Sequence, residues 1–283
     1  MQRDLPLDVR GLIGDEPEIL NQAVDDWVHH RMSGEPKVLT DARAAYVEHH
    51  LARSLAAISL VPQCVERGRL LELGSGIYLM TFLVEKLRNY ELDLVQYWGR
   101  PSGAYASTLT DDRTGATRVL PFLEFNGEKE PFPYPDASFD VILNCDTIEH
   151  MLCDPVHLLA ECHRVLKPGG LMVVTTPNVL RLDNVVRLLK GVNIHDKYVL
   201  QSASARHPRE YTPHELKRIH EWVGFDVTHL ETRDVTHSTV SRSARRLAHA
   251  ALKCFRVAAR YVGQGEGVAT AWRGEQIILT ARR

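Results

Sequence analysis

The sequence lacks most of the features that would assign it quickly. Its five cysteines, Cys64, Cys145, Cys153, Cys162 and Cys254, are odd in number and scattered, with no CxxC pair. That spacing argues against a disulfide framework and a structural zinc, and it points to a reducing cytoplasm. No uninterrupted apolar run approaches the roughly 20 residues that a membrane span needs. The opening stretch MQRDLPLDVRGLIGDEPE contains no apolar core of signal-peptide length. Internal repeats and low-complexity tracts are missing. Neither sign of charge dominates: the formal net charge is −2, so no global field draws the chain to nucleic acid.

What is present is the composition of an ordinary globular protein. With 283 residues, 44% hydrophobic and 25% charged, the chain suffices for one large α/β domain with additions, or for two small domains. Residues 1–68 carry helical spacing. EILNQAVDDWVHHRM places Ile19, Ala23, Val24 and Trp27 on one face. DARAAYVEHHLARSLAAISLV does the same with Ala45, Leu51, Leu55 and Ile58, with Asp41 placed to cap its start.

From residue 69 the texture changes to alternating strands and helices. GRLLELGSG reads as a strand ending in a glycine turn, followed by a helix from Leu79 to Leu87. LDLVQYW, RVLPFLEF, DVILN and LMVVTT read as further strands, and residues 99–118 as a polar connection. PVHLLAECHRVL reads as a helix halted by KPGG, where Gly169 or Gly170 can take the left-handed conformation. Later come a helix over 183–190 and the helix TPHELKRIHEWV, with Thr212 as cap and Pro213 at its first position. A strand in GFDVTHLETRDV, a helix over 240–262 and a closing strand EQIILTAR end the chain. Such alternation predicts an α/β fold with a parallel sheet covered on both faces. Residues 1–68 would form a helical cap and 69–283 the main domain.

The glycine turn is not a phosphate cradle: ELGSGIY completes neither GxGxxG nor GK[ST]. Glu72, beside it, suits a cationic group such as an amine better than an anion. Glu72-Leu-Gly74-Ser-Gly76 resembles motif I of class I S-adenosylmethionine-dependent methyltransferases. FPYPDASFDVILNCDTIEHM, ECHRVLKPGGLMVVTTPN and HPREYTPHELKRIHEWVGF follow in order and resemble the type-11/type-23 branch, often found among bacterial sugar-handling enzymes. The resemblance covers about residues 66–235 plus the last strand. It implies a Rossmann-like, doubly wound sheet of seven strands with the last antiparallel, and S-adenosylmethionine as cofactor.

It also implies site residues. Glu72, Gly74, Ser75 and Gly76 would lie under the methionyl part of the cofactor. The acid that usually holds the ribose falls at Gln96, and the family's third glycine is Tyr78. Asn126 and Glu128 are placed for the adenine side, with Phe125 as either a stacking wall or core packing. Cys145 would close the cofactor site at the end of the fourth strand of the family pattern.

That strand empties into LNCDTIEHM. If a helix starts near Thr147, then Asp146, Glu149 and His150 share one face at i, i+3 and i+4. The spacing D-x-x-E fits a capping box and a metal or base site equally, and His150 is not explained by capping. The trio looks like the E-x-x-E-H metal motif of small-RNA 2′-O-methyltransferases and some ubiquinone-pathway O-methyltransferases. That likeness makes Asp146, Glu149, His150 and His207 the candidate catalytic and metal-binding set, with His195 a weaker extra ligand. Magnesium is expected because hard oxygen ligands dominate, and histidine ligation would also suit manganese.

Several features admit a plainer account. His29-His30 and His49-His50 are adjacent, point apart on a helix, and read as surface or packing residues. Tyr46 and Trp27 either line the acceptor pocket or fill the core. Arg242, Arg246, Lys253, Arg256 and Arg260 stripe the 240–262 helix, which reads as a solvated face or as a peripheral membrane contact. The expected reaction is methyl transfer to a hydroxyl, first on a saccharide or glycolipid, alternatively on a small natural product. The departures at Gln96 and Tyr78 leave open a non-catalytic module that binds a partner.

Overall fold

All seven apolar runs read as strands join one sheet in the computed structural model, which describes residues 17–32, 40–64, 66–152, 154–194, 207–235 and 274–283. The 240–262 helix and His195 lie outside the described residues, as does the side chain of Asp41. The central strands are β2 (Gly68–Leu73), β3 (Tyr90–Gln96), β5 (Thr117–Glu124), β6 (Phe139–Cys145) and β7 (Leu166–Pro177). They are parallel, with β2 between β3 and β6. Beyond β7 lie β9 (Gln276–Arg282) and then β8 (Asp226–Arg233), each antiparallel to its neighbour.

The sheet has nine strands rather than seven. The added pair stands at the β5 edge: β4 (Gly103–Asp111) and β1 (His30–Met32), giving the order β1-β4-β5-β3-β2-β6-β7-β9-β8. Residues 99–118 are therefore no mere connection. GAYASTLTD does alternate, with Leu109 and Asp111 buried and Tyr105 half-buried, against exposed Ala104 and Ala106. Tyr105 and Leu109 are its only large apolar side chains, so the period-2 signal is faint in the sequence. Gly115, at φ +75°, closes the hairpin to β5.

The two faces of the sheet build two cores. On one, α1 (Pro17–His29), α2 (Thr40–Ser59) and α3 (Leu79–Leu87) cover Leu70, Leu94, Phe122, Val141 and Val173. Leu20, Ala23 and Trp27 of α1 and Val47, Leu51, Leu55 and Ile58 of α2 are the buried positions, while Ala45 faces out. On the other face, α4 (Val156–Val165) and α6 (Pro213–Val223) cover Leu71, Ile142, Met172, Val174 and Leu279. Between β7 and α6 lies α5 (Leu182–Leu189). The helix α4 ends in an extended residue, Leu166, and the left-handed glycine Gly169 comes three residues later, inside the start of β7. Among the described residues no helix is long and apolar enough to cross a membrane.

The helix α6 begins as its sequence dictates. Thr212 Oγ1 accepts from Glu215 N at 3.2 Å, and Glu215 Oε2 accepts from Thr212 N at 3.4 Å, a complete capping box with Pro213 behind it. Thr212→Ala should therefore destabilise the fold by about 1 kcal/mol, with an unchanged slope in urea unfolding followed by circular dichroism.

Candidate cofactor and acceptor site

The carboxyl ends of β2, β3, β5 and β6 open onto two adjoining cavities. The outer one, about 640 Å³, is lined by Gly74, Gly76, Gln96, Trp98, Phe125, Asn126 and Glu128, among others. The inner one, about 470 Å³, is lined by Glu72, Gly74, Ser75, Cys145, Glu149 and His207, and on its far side by α2. Leu73, Gly74, Asp146 and His150 belong to both walls. The residues expected to bind the cofactor, and Asp146, Glu149, His150 and His207, each line one cavity or both.

The glycine turn has the geometry its residues allow. Gly74 has φ +74°, and a Cβ there would sit 2.3 Å from Thr147 Oγ1, so only glycine fits. Gly74 N and Ser75 N both donate to Val95 O, at 2.9 and 3.2 Å, which binds the turn to β3. Trp27 Nε1 donates to Ile77 O at 2.7 Å and anchors the turn to α1 as well. A Cβ on Gly76 would meet the Trp98 ring at 3.1 Å. Glu72 is buried and accepts from Thr81 Oγ1 at 2.7 Å; burial pushes its carboxyl up to about 7.

Tyr78 answers for the missing glycine. It keeps the left-handed conformation, φ +63°, and heads α3. Its phenol donates to Ser107 Oγ at 2.7 Å and accepts from Gln96 Nε2 at 2.7 Å. Gln96 Nε2 also reaches Ser75 Oγ at 3.3 Å, and its Oε1 accepts from Trp98 Nε1 at 2.5 Å. The residue expected to hold a ribose thus has its donors and its acceptor already engaged within the protein. On the opposite side of the outer cavity, Asn126 Nδ2 donates to Tyr97 Oη at 3.3 Å, and Asn126 Oδ1 accepts from Glu128 N at 3.0 Å. Phe125 is buried and packs its ring against Phe132, with centroids 5.0 Å apart. The Cys145 thiol is raised by burial and by Asp146, which leaves it protonated and inert.

The LNCDTIEHM knot departs from the helix expected of it. Asp146 has φ +51°, and only a single 3₁₀ turn, Ile148–His150, follows. Thr147 precedes that turn without a side-chain cap bond. The capping-box reading of Asp146 and Glu149 is therefore not realised. Instead, Asp146 Oδ2 pairs with Arg53 Nε at 3.1 Å and accepts from Thr175 Oγ1 at 3.3 Å, while Oδ1 accepts from Gln276 Nε2 at 2.5 Å. Asp146 thereby leaves the expected ligand set.

Glu149, His150 and His207 do come together. One ligand atom from each lies within 4.8 Å of the others. The two imidazoles meet edge to face with centroids 4.8 Å apart. Glu149 is buried; its Oε2 accepts from Thr176 Oγ1 at 2.9 Å, and its Oε1 has no hydrogen-bond partner among the described residues. Burial, then the neighbouring Asp146, pushes its carboxyl up to about 8. His207 Nδ1 lies 3.4 Å from Glu210 Oε1. Burial alone would raise Glu210, but His207, Arg181 and Asn184 pull it down to about 2. Glu210 is thus a fixed anion that orients His207.

Of the two N-terminal residues offered for the acceptor pocket, Tyr46 lines the inner cavity and Trp27 is buried in the core; His50 and Arg53 of α2 were not singled out as its companions. Tyr46, His50, Arg53 and Ala57 recur at steps of three and four and all line the inner cavity. That stripe is visible in the sequence as one helix face. Arg53 is the one lysine or arginine among the lining residues of that cavity. Its charge, opposed by burial, is held by Asp146.

The chain belongs to the methyltransferase-domain family, type 23: residues 43–230 match it. It is a class I S-adenosylmethionine-dependent methyltransferase of the type-11/type-23 branch, with S-adenosylmethionine as the family's cofactor. A probable S-adenosylmethionine-dependent methyltransferase of Mycolicibacterium smegmatis is 35% identical over 102 residues, a stretch covering 36% of this chain and 34% of that relative. A ubiquinone biosynthesis O-methyltransferase of Cereibacter sphaeroides is 24% identical over 249 residues, covering 79% of this chain and 92% of that one. Among solved structures, a complex between the Haloferax volcanii Trm112 methyltransferase activator and a putative methyltransferase has a similar fold. It matches at 16% identity and a TM-score of 0.50, covering 92% of this chain and 96% of that one.

Two outcomes follow from this geometry. Gly76→Val should drive the new side chain against Trp98 and into the outer cavity. Affinity for S-adenosylhomocysteine should fall at least ~10-fold by calorimetry, with the circular dichroism unchanged. Glu72 has a folded pKa raised from 4.5 to about 7, so the folded state holds its proton more tightly. Its contribution to stability is full below pH ~4.5, falls as pH rises through about 7, and is then constant. Glu72→Gln should flatten that part of the stability–pH profile by on the order of 1 kcal/mol per pH unit, measured by chemical unfolding.

Proposed function

We propose that this methyltransferase moves the methyl group of S-adenosylmethionine to a hydroxyl of a saccharide or glycolipid, with a divalent cation held by Glu149, His150 and His207. The observation that carries the reading is the convergence of those three side chains at the junction of the two cavities. The cofactor would lie across the junction, with adenosine in the outer cavity and its methionyl part against Glu72, Gly74 and Ser75. Glu72, ionised by contact with an ammonium group, fits the amino end. Arg53 supplies a buried cation for the carboxylate end.

In the transfer, a lone pair of the acceptor oxygen attacks the methyl carbon in line. The C–S bond breaks and its electron pair stays on sulfur; with the cation held by the imidazoles the hydroxyl proton passes to solvent, and without it the proton passes to His150 or His207. Glu210 holds His207 in the orientation that receives it. The walls exclude water and align the partners, which supplies much of the acceleration. The cation fit rests on this chain's own atoms: a buried Glu149 Oε1 without a partner, and two imidazoles beside it. A bound cation supplies one thing, a lower pKa for the hydroxyl it touches. The expectation of magnesium assumed a majority of oxygens. With Asp146 turned to Arg53, the donors are two imidazoles and one carboxylate, which suits manganese better.

A phenolic acceptor is the second reading. It is favoured by the likeness to the Cereibacter sphaeroides enzyme over most of that protein's length.

The test is a screen of methyl transfer from radiolabelled S-adenosylmethionine to saccharides and to catechol, with and without chelator. Glu149→Ala should lower transfer by at least ~100-fold, the scale of losing a positioned acid–base or Lewis-acid group. Affinity for S-adenosylhomocysteine should stay within about threefold of the parent protein, because the glycine turn is untouched. Full activity after exhaustive chelation defeats the cation, and full activity of Glu149→Ala defeats the cluster as the site.

A further inference from the structure

One imidazole of the inner cavity is used by neither the cofactor nor the cation reading. His50 lies on the α2 stripe between Tyr46 and Arg53 and lines the cavity with Glu149, His150 and His207. Its ring rests on Tyr46, with centroids 4.0 Å apart. Its Nδ1 is shut off from water and has no hydrogen-bond partner among the described residues.

The neighbouring helical histidines place Nδ1 differently. His29, His30 and His49 each set Nδ1 against the carbonyl oxygen four residues back, at 2.8, 2.6 and 2.8 Å. The same solution is open to any histidine on a helix. His50 forgoes it and lines the cavity with its ring tilted 44° to that of Tyr46. A buried polar atom left without a partner is costly and rare in folded proteins. His50 Nε2 also makes no hydrogen bond among the described residues but is not shut off in this way, so it is the ring nitrogen that a ligand in the cavity can reach.

Burial, then Arg53 and His49, lowers the His50 pKa to about 4, so the ring is neutral at pH 7. A neutral imidazole offers one donor and one acceptor, the complement of a hydroxyl. Tyr46 beside it adds an aromatic surface against which the apolar face of a six-membered ring can pack.

We propose that His50 is an acceptor-binding residue that hydrogen-bonds one hydroxyl of a diol laid against the Tyr46–His50 wall, presenting the adjacent hydroxyl to Glu149, His150 and His207. The acceptor is then a ring diol, and the specificity of the enzyme is set partly by α2. This rests on the methyl-transfer reading of the cavity. Diol chemistry is shared by catechols and sugars, so both are probed.

The experiment follows the histidine side chains of the full chain by ¹⁵N NMR, saturated with S-adenosylhomocysteine. Catechol and methyl α-D-mannopyranoside are titrated separately. One of them should move the His50 signals together with those of His150 and His207. His50→Phe keeps the stack on Tyr46 but removes both nitrogens; it should weaken that diol about 10-fold, the scale of one lost hydrogen bond. S-adenosylhomocysteine affinity should not change. His50→Asn should recover part of the loss, which a merely structural role would not produce. Shifts confined to His150 and His207, or equal binding by His50→Phe, overturn the assignment and leave the methyl-transfer reading standing. If neither diol moves any histidine, the cavity is no diol site and the assignment falls. Failure of the parent protein to bind S-adenosylhomocysteine would instead defeat the underlying reading.

Discussion

The ion pair between Arg53 and Asp146, 3.1 Å across the inner cavity, is the contact on which the rest of the site depends. Asp146 stands at the end of β6 in a left-handed conformation, where Asp is tolerated better than most residues but not favoured. Three elements hold it there: α2 through Arg53, β7 through Thr175 and β9 through Gln276. Fixing Asp146 fixes where the chain leaves β6, and so where Thr147 covers Gly74 and where Glu149 and His150 enter the cavity. Removing Arg53 would leave the half-buried Asp146 with only Thr175 and Gln276 as partners.

The N-terminal helices are therefore structural parts of the site. α1 and α2 share a core with the sheet, and Trp27 grips the glycine turn directly. α2 also furnishes a polar stripe that closes the inner cavity opposite the glycine turn. A site assembled this way couples its acceptor wall to its cofactor turn through packed side chains. A shift of α2 would reach both cavities through Arg53, because packed interiors transmit strain instead of absorbing it.

Polar economy distinguishes the two cavities. Between them, Gln96 and Trp98 of the outer wall and Ser75 and Tyr78 of the inner wall satisfy one another. The position that the family usually gives to an acid is thereby built into a closed neutral network. In the inner one, polar atoms are left over: Glu149 Oε1 and His50 Nδ1 have no partner among the described residues. Satisfied networks hold shape.

Much of this protein is local and could be read from its residues. The alternation of strand and helix, the glycine turn after Leu73, and the cap at Thr212 with Pro213 all depend on neighbours a few residues apart. Hydrophobic period and turn chemistry record such neighbours directly. The faint strand β4 escaped because two large apolar residues do not make a clear period. The knot after β6 was legible as a site, but its internal pairing was not. Asp146 looked like a partner of Glu149 because they are three apart, and the fold gave it instead to Arg53 and Gln276, 93 and 130 residues away in sequence. His207 reached Glu149 and His150 from beyond the next strand and helix, and His50, expected on the surface or in packing, lines the cavity. Those outcomes belong to the tertiary structure, because the parallel crossovers of the sheet bring strand ends together irrespective of their distance along the chain. A left-handed turn one residue long then decides which way a carboxylate points.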